Sequence, residues 1–64
     1  MKRRDLLHHM TMHGCILLRE GSAHSWWNNP TANRRSAVPR HTEINEILVR
    51  KICHDLAIDP PHER

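Results

Sequence analysis

The chain's only two glycines bracket a short apolar segment and strongly limit what it can fold into. Residues 15–20, Cys-Ile-Leu-Leu-Arg-Glu, lie between Gly14 and Gly21 and suit a strand better than a helix. Gly14 stands where a left-handed helix C-cap is expected. Gly21-Ser22 permits a tight turn, because glycine tolerates positive φ without a steric cost. The sequence therefore predicts a helix before residue 14, a strand after it, and a turn at residues 20–23.

Apolar periodicity predicts one helix near each end of the chain. The first covers residues 3–13 and carries a narrow apolar stripe formed by Leu6, Leu7 and Met10. No Ser, Thr, Asp or Asn precedes this helix, so we expect its N-terminus to fray. The second begins after Asn45, a good N-cap residue, and runs to about residue 57, before Asp59-Pro60-Pro61. Its predicted apolar face comprises Ile44, Ile47 or Leu48, Ile52 and Leu56.

Two further strands are predicted between the helices, at His24–Asn28 and Arg35–Val38, with a turn at residues 29–33. Pro39 stops the last strand. The order helix, strand, strand, strand, helix predicts an α+β fold, in which a three-stranded antiparallel sheet carries both helices on one face. This is the arrangement of double-stranded-RNA-binding domains (dsRBDs).

Length and composition predict one small domain spanning residues 1–64, with a short polar tail at 59–64. Hydrophobic residues at 38% and charged residues at 27% indicate a globular rather than a disordered chain. The formal net charge of +3 favours polyanionic partners. The sequence has no run of about 18 apolar residues, so we expect no association with a membrane.

Cysteine usage indicates a reducing compartment. Cys15 and Cys53 are far apart in sequence and lack a CxxC pattern, whereas a disulfide scaffold of this length usually has more cysteines. We therefore expect two reduced thiols packed as small apolar residues in a cytoplasmic protein. The chain begins at Met1 without the apolar stretch of a signal peptide, which predicts a complete protein.

The residues after the predicted turn carry the first functional signal. His24 begins a strand, and histidine, with an unperturbed pKa of roughly 6.5, gives and takes a proton near neutral pH. Side chains alternate across a strand, so His24 and Trp26 share one face while Ser25 and Trp27 share the other. Because the chain has no Phe or Tyr, we expect one Trp in the core and the other on the open face. The alternation of side chains alone does not decide whether Trp26 or Trp27 is the core residue.

Several segments together resemble HicA-type toxins, in the same order and at the same spacing over nearly the whole chain. They are Arg4-Asp5-Leu6-Leu7, Gly14-Cys15, the turn from Arg19 to Ser25, Val38-Pro39-Arg40-His41, Glu43-Ile44, Arg50-Lys51-Ile52 and Leu56. The resemblance implies a small mRNA interferase of dsRBD-like fold that a HicB antitoxin neutralises. It also implies that His24 is the catalytic histidine. The chain departs from many relatives at Ala23, where they have Asn or His, and at Trp26, where they often have an aliphatic residue.

The resemblance and the residue chemistry together predict a metal-independent endoribonuclease that uses no cofactor. RNA carries its own nucleophile, the ribose 2′-hydroxyl, so we expect His24 to act as general acid or base. Gly21 and Ser22 would let the backbone approach a phosphate closely. An exposed Trp26 or Trp27 would stack on an unpaired base, worth roughly 1–3 kcal/mol. Phosphate contacts are expected from Arg34, Arg35 and Arg40, with Lys2, Arg3 and Arg4 as outer steering charges.

Two other functions remain open at this point. A dsRBD-like fold binds RNA by shape without cleaving it, so the chain is alternatively a non-catalytic RNA-binding module. A metal protein is the third hypothesis, because His9 and His13 are four residues apart on one helix face and His8 is adjacent. Against it, no carboxylate or thiolate joins these histidines locally.

Overall fold

The computed structural model describes residues 1–61, so residues 62–64 of the predicted tail lie outside the described part of the chain. Five elements follow one another in the predicted order, which confirms the α+β class. The observed and predicted ends of these elements differ by no more than two residues, as is usual for element termini. They are α1 (Arg3–Met12), β1 (Ile16–Glu20), β2 (His24–Asn29), β3 (Arg34–Pro39) and α2 (Glu46–Asp55).

The three strands form one antiparallel sheet in the order β1-β2-β3, with β2 in the centre. Along β2 the residues alternate between buried and more exposed, as one covered sheet face requires. Ser25, Trp27 and Asn29 lie on the covered face, whereas His24 and Trp26 lie on the open one. Trp27 is therefore the core tryptophan, and Trp26, which is half-buried, belongs to the open face.

Both helices contribute to one hydrophobic core against the covered face of the sheet. From β2 and β3 the core receives Trp27 and Val38. From the rest of the chain it receives Leu6, Met10, Cys15, Ile44, Val49, Ile52, Cys53 and Leu56. The predicted placement of both helices on one face is confirmed by this shared cluster.

The two cysteines are free and buried, which confirms the predicted reduced thiols. Burial raises the pKa of the Cys53 thiol to about 11, and the nearby Cys15 adds to this shift. Burial also raises the pKa of Cys15. Both thiols therefore stay protonated near neutral pH and act as packing groups rather than as nucleophiles or metal ligands.

The start of α1 is held in place, so the prediction that it frays is wrong. The Met1 amino group donates to the Ile44 carbonyl at 3.0 Å, and the Ile44 N–H donates back to the Met1 carbonyl at 2.8 Å. The Arg3 N–H also donates to the Thr42 carbonyl at 2.8 Å. These long-range backbone bonds anchor the chain at the start of the helix, and the Arg3 bond also satisfies one of the N–H groups that have no partner within the helix. At the other end, Gly14 has φ +87°, which confirms the predicted left-handed cap.

The second helix begins as predicted, with one change on its apolar face. The Leu48 N–H donates to Asn45 Oδ1 at 2.8 Å, which confirms the N-cap. Leu48 rather than Ile47 packs toward the core, since Ile47 is 81% exposed. Within residues 1–61, no helix is long and apolar enough to cross a membrane.

Replacing Asn45 by Ala removes this cap and should lower the free energy of unfolding by about 1 kcal/mol. The matched control is Asn45→Asp, which keeps an accepting oxygen and should retain most of the stability. Urea denaturation followed by circular dichroism measures both variants. An equal loss in the two variants would show that the cap bond is not the cause.

Candidate active site

The hairpin between β1 and β2 presents His24 at one end of the sheet. The Gly21 N–H donates to the His24 carbonyl at 2.7 Å and closes the predicted turn. The reason for glycine differs from the predicted one, because Gly14 is the glycine with positive φ. A Cβ on Gly21 would lie 3.0 Å from the His24 carbonyl oxygen, which is tighter than an ordinary van der Waals contact, so the close approach of the two backbones favours glycine here.

The His24 side chain is exposed on the open face of the sheet. It lines a shallow cavity of about 310 Å³, and the other lining residues are Arg19, Gly21, Ser22, Ala23 and Trp26. Both helices of the described part, residues 1–61, pack on the opposite face of the sheet and leave this one uncovered by a helix. The imidazole is therefore accessible to a large ligand, and a backbone turn, a hydroxyl and a cation lie beside it.

A hydrogen-bonded network lies behind the hairpin and links four parts of the chain; we call its members Arg3, Glu20, Ser25 and Arg40 the Ser25 network. Arg3 Nη2 donates to Ser25 Oγ at 2.8 Å, and Ser25 Oγ donates to Glu20 Oε1 at 2.6 Å. Arg40 Nη2 donates to the same carboxylate oxygen at 2.6 Å. Ser25 is 0% exposed, so its hydroxyl bonds with charged groups away from water, where each contributes about 1.5–3 kcal/mol.

The same two arginines also bind the backbone around His24. Arg3 Nε donates to the carbonyl of Pro39, which is the residue paired with His24 across the sheet. Arg40 Nη2 donates to the Gly21 carbonyl at 2.8 Å. His24 is thus held from the turn before it, from the strand beside it and from the residue after it.

The structure brings most of the predicted site residues to one end of the sheet and leaves two arginines farther away. Gly21, Ser22, His24 and Trp26 line one cavity, and the Arg40 guanidinium lies against the Gly21 carbonyl. Arg35 and Arg34 lie farther along β3.

The two β3 arginines also lie on different faces. Arg35 pairs with Asn28 on the open face, the face that carries His24 and Trp26. Arg34 pairs with Asn29 on the covered face. Arg34 is five residues along β3 from the His24 partner Pro39, roughly 17 Å at about 3.4 Å per residue. Arg34 and Arg35, which the sequence predicted together as phosphate contacts, therefore lie on opposite faces of β3.

Sequence reasoning missed Arg19 as a site residue because of an irregularity in β1. The pairing shifts between Leu17, which faces Trp27, and Arg19, which faces Trp26. Regular pairing from Leu17 onward would place Leu18 opposite Trp26 and Arg19 opposite Ser25, on the covered face. A β-bulge at Leu18 instead brings Arg19 onto the open face. The signal in the sequence was the unbroken apolar run 16–18, which does not alternate as a half-buried strand should.

The histidines of α1 make contacts of their own. The rings of His9 and His13 lie 4.2 Å apart between centroids. His9 Nε2 donates to the Asp59 carbonyl at 2.7 Å, and His13 Nδ1 donates to the His9 carbonyl at 2.8 Å. In the part of the chain that the structure describes, no three His, Cys, Asp or Glu side chains come together in a group able to hold a metal ion.

Fold and site together define a small α+β protein that presents His24 on an open sheet face together with arginines. The family model for the HicA toxin of bacterial toxin–antitoxin systems matches residues 3–58, which include all five elements. The chain therefore belongs to the HicA toxin family, which makes it the toxin of a toxin–antitoxin system and implies an antitoxin partner. No curated protein and no solved structure shows a significant match to it.

Replacing Ser25 by Ala should lower the free energy of unfolding by about 1–3 kcal/mol, because Arg3 and Glu20 then lose a shared buried partner. Ser36→Ala is the matched control. Ser36 is also buried, on the neighbouring strand, but its Oγ reaches Asp55 Oδ2 only at 3.4 Å. Urea denaturation should show a clearly larger loss for Ser25→Ala. Similar losses in the two variants would mean that the Ser25 network adds nothing beyond an ordinary buried hydroxyl.

Proposed function

We propose that this toxin is a metal-independent endoribonuclease that cleaves mRNA, with His24 as its catalytic residue. The observation that carries the proposal is the exposed His24 imidazole, held on a closed backbone turn in an open cavity. General acid–base catalysis needs a titratable side chain within reach of the reacting oxygens, and RNA supplies the nucleophile itself.

In the proposed reaction, the ribose 2′-oxygen forms a bond to the adjacent phosphorus, and the bond from phosphorus to the 5′-oxygen breaks. One proton leaves the 2′-hydroxyl, and one proton reaches the departing 5′-oxygen. His24 serves one of these transfers, and water serves the other. A positioned group of this kind typically contributes about 10²–10⁴-fold to the rate.

The charge that develops on the phosphate needs donors near His24. The proposed donors are the Arg19 guanidinium and the Ser22 hydroxyl, both of which line the cavity. Gly21 lines it too, but its N–H already donates to the His24 carbonyl, so its proposed part is to let a phosphate approach the turn closely. Arg40 is engaged by Glu20 and the Gly21 carbonyl, so its first task is to hold the turn. A guanidinium has five N–H donors, and those of Arg40 that remain can still bind a phosphate oxygen.

The remaining RNA contacts are proposed farther from the reacting bond. Arg35 and Trp26 lie on the same face as His24 and would contact the nucleotides next to the cleavage point. Arg34 lies on the other side of β3, where it would attract more distant phosphates. Lys2, Arg3 and Arg4 line a separate cleft beside Arg40 and would add to this long-range attraction.

A non-catalytic RNA-binding module is the second candidate, and one observation favours it. RNA cleavage needs two proton transfers, but among the described residues that line the cavity there is one histidine and no Asp, Glu or Lys. A binding module would retain RNA in the same cavity in a salt-dependent way and release it uncut.

The antitoxin partner that the family implies is proposed to be a HicB-like protein that covers His24 and the arginines around it. Acidic residues on such a partner would face a chain of net charge +3 and speed the association. The whole system is proposed to act in the cytoplasm, where mRNA is available.

Replacing His24 by Ala should reduce RNA cleavage by at least about 100-fold, because the proton-transfer group is lost. The matched control is His8→Ala, which removes an exposed histidine of α1 that does not line the cavity and should cleave at the parental rate. Labelled mRNA is incubated with each protein in the presence of excess EDTA, and circular dichroism verifies the fold. In bacteria, His24→Ala should also relieve the growth arrest caused by the toxin expressed alone.

Two results would contradict this assignment. A folded His24→Ala protein that cuts RNA at the parental rate would place the chemistry elsewhere. A parental protein that binds RNA in a salt-dependent manner but never cuts it would favour the binding module.

A further inference from the structure

A second cavity adjoins the His24 cavity on the open face of the sheet. It has a volume of about 230 Å³ and is lined by Leu18, Arg19, Trp26 and Arg35. Arg19 and Trp26 line both cavities, so the two form one continuous surface with His24 at one end.

Trp26 occupies the centre of this surface, with a different neighbour on each side. It lies on the central strand, opposite Arg19 of β1 and opposite Ala37 of β3. Directly opposed side chains in an antiparallel sheet have Cβ atoms about 4.5–5.5 Å apart, so the Arg19 side chain starts beside the indole. Ala37 is too short to cover the ring from the other side. Arg35 is two residues from Ala37, within diagonal reach of a long side chain.

Within the described residues, no carboxylate pairs with either of the two flanking arginines. The side chains of Arg19 and Arg35 are both exposed. Arg40, by contrast, is paired with Glu20 at 2.6 Å. An aromatic ring between two such cations is the combination that binds a base and its phosphates, because every base has a π-face and every linkage is an anion.

We propose that the cavity formed by Leu18, Arg19, Trp26 and Arg35 binds one unpaired nucleotide of single-stranded RNA beside the cleavage centre. Its base stacks on the Trp26 indole, and the phosphates on either side of it contact Arg19 and Arg35. The position relative to the cut rests on the proposed function, whereas the binding itself does not. The subsite selects single strands, because the bases of an A-form duplex are stacked inside the helix and offer no free π-face.

Binding of a single-stranded oligoribonucleotide by the full chain tests the stacking, measured in a His24→Ala background so that the RNA stays intact. Adding Trp26→Ala should weaken binding about 5- to 150-fold, the range for loss of one stacked base. Trp26→Phe should recover most of the affinity, since it restores an aromatic face. Trp26→Leu should not, although its apolar bulk is similar. Thermal unfolding of each variant verifies that the sheet remains intact.

Two adjacent arginines provide a matched test of the charges. Arg35→Gln and Arg34→Gln remove the same charge from exposed neighbours on opposite faces of β3. Arg35→Gln should weaken binding and lower the slope of log affinity against log salt by about 0.7, the value for one phosphate contact on a single strand. Arg34→Gln should change the slope less.

Intrinsic fluorescence gives a second readout that does not depend on affinity. In a Trp27→Phe variant, Trp26 is the only indole of the chain. Single-stranded RNA should quench its emission, and duplex RNA of the same sequence should quench it much less. Equal quenching by both would overturn the selection of single strands.

The outcomes separate this subsite from the proposed function. Binding that depends on Trp26 in a protein that never cuts RNA would support the subsite and reject the nuclease. Cleavage that depends on His24, with RNA affinity unchanged in Trp26→Ala, would support the nuclease and overturn the subsite. If Trp26→Ala weakened binding of the antitoxin while RNA affinity stayed unchanged, the surface would be a protein interface, and the subsite would again be overturned.

Discussion

The buried hydroxyl of Ser25 is the point where the chain around the candidate site is held together. It accepts a hydrogen bond from Arg3 of α1 and donates one to Glu20 of β1, and the same carboxylate holds Arg40 after β3. A chain of 64 residues buries only about 60% of the surface that its unfolded form exposes, so a few strong polar bonds weigh heavily in its stability. Because the network's members come from four parts of the chain, the turn that carries His24 depends on the fold being complete.

Much of the fold follows from local sequence rules, and the failures have identifiable physical causes. The end of α1 could be placed from Gly14, and the start of α2 from Asn45. The two faces of the central strand could be assigned from the alternation along β2. The start of α1 was wrongly expected to fray because its backbone partners, residues 42–44, are distant in sequence. Propensity rules describe neighbours in the chain and contain no information about such pairings.

The candidate site was only partly predictable for the same reason. His24 and Trp26 could be placed on one face by parity, but the engagement of Arg40 by Glu20 required the folded hairpin. The separation of Arg34 from Arg35, in contrast, was available from the sequence, since neighbours in a strand point to opposite faces. The position of Arg19 on the open face could not be predicted from the sequence, because a β-bulge reverses which face the residues after it point to.

The β-bulge at Leu18 also determines which residue of β1 lies opposite Ser25. In an unbroken ladder, Arg19 rather than Glu20 would lie opposite Ser25, and two guanidinium groups would converge on one hydroxyl. In the observed register Leu18 is a surplus residue that is 44% exposed, and the Glu20 carboxylate accepts hydrogen bonds from Ser25 and Arg40. The observed alignment thus places opposite charges together, which favours it over the unbroken one. We therefore expect a variant lacking Leu18 to pair Arg19 with Trp26 and Glu20 with Ser25 in an unbroken ladder, whereas exchanging the identities of residues 19 and 20 would favour the alignment in which residue 19 faces Ser25.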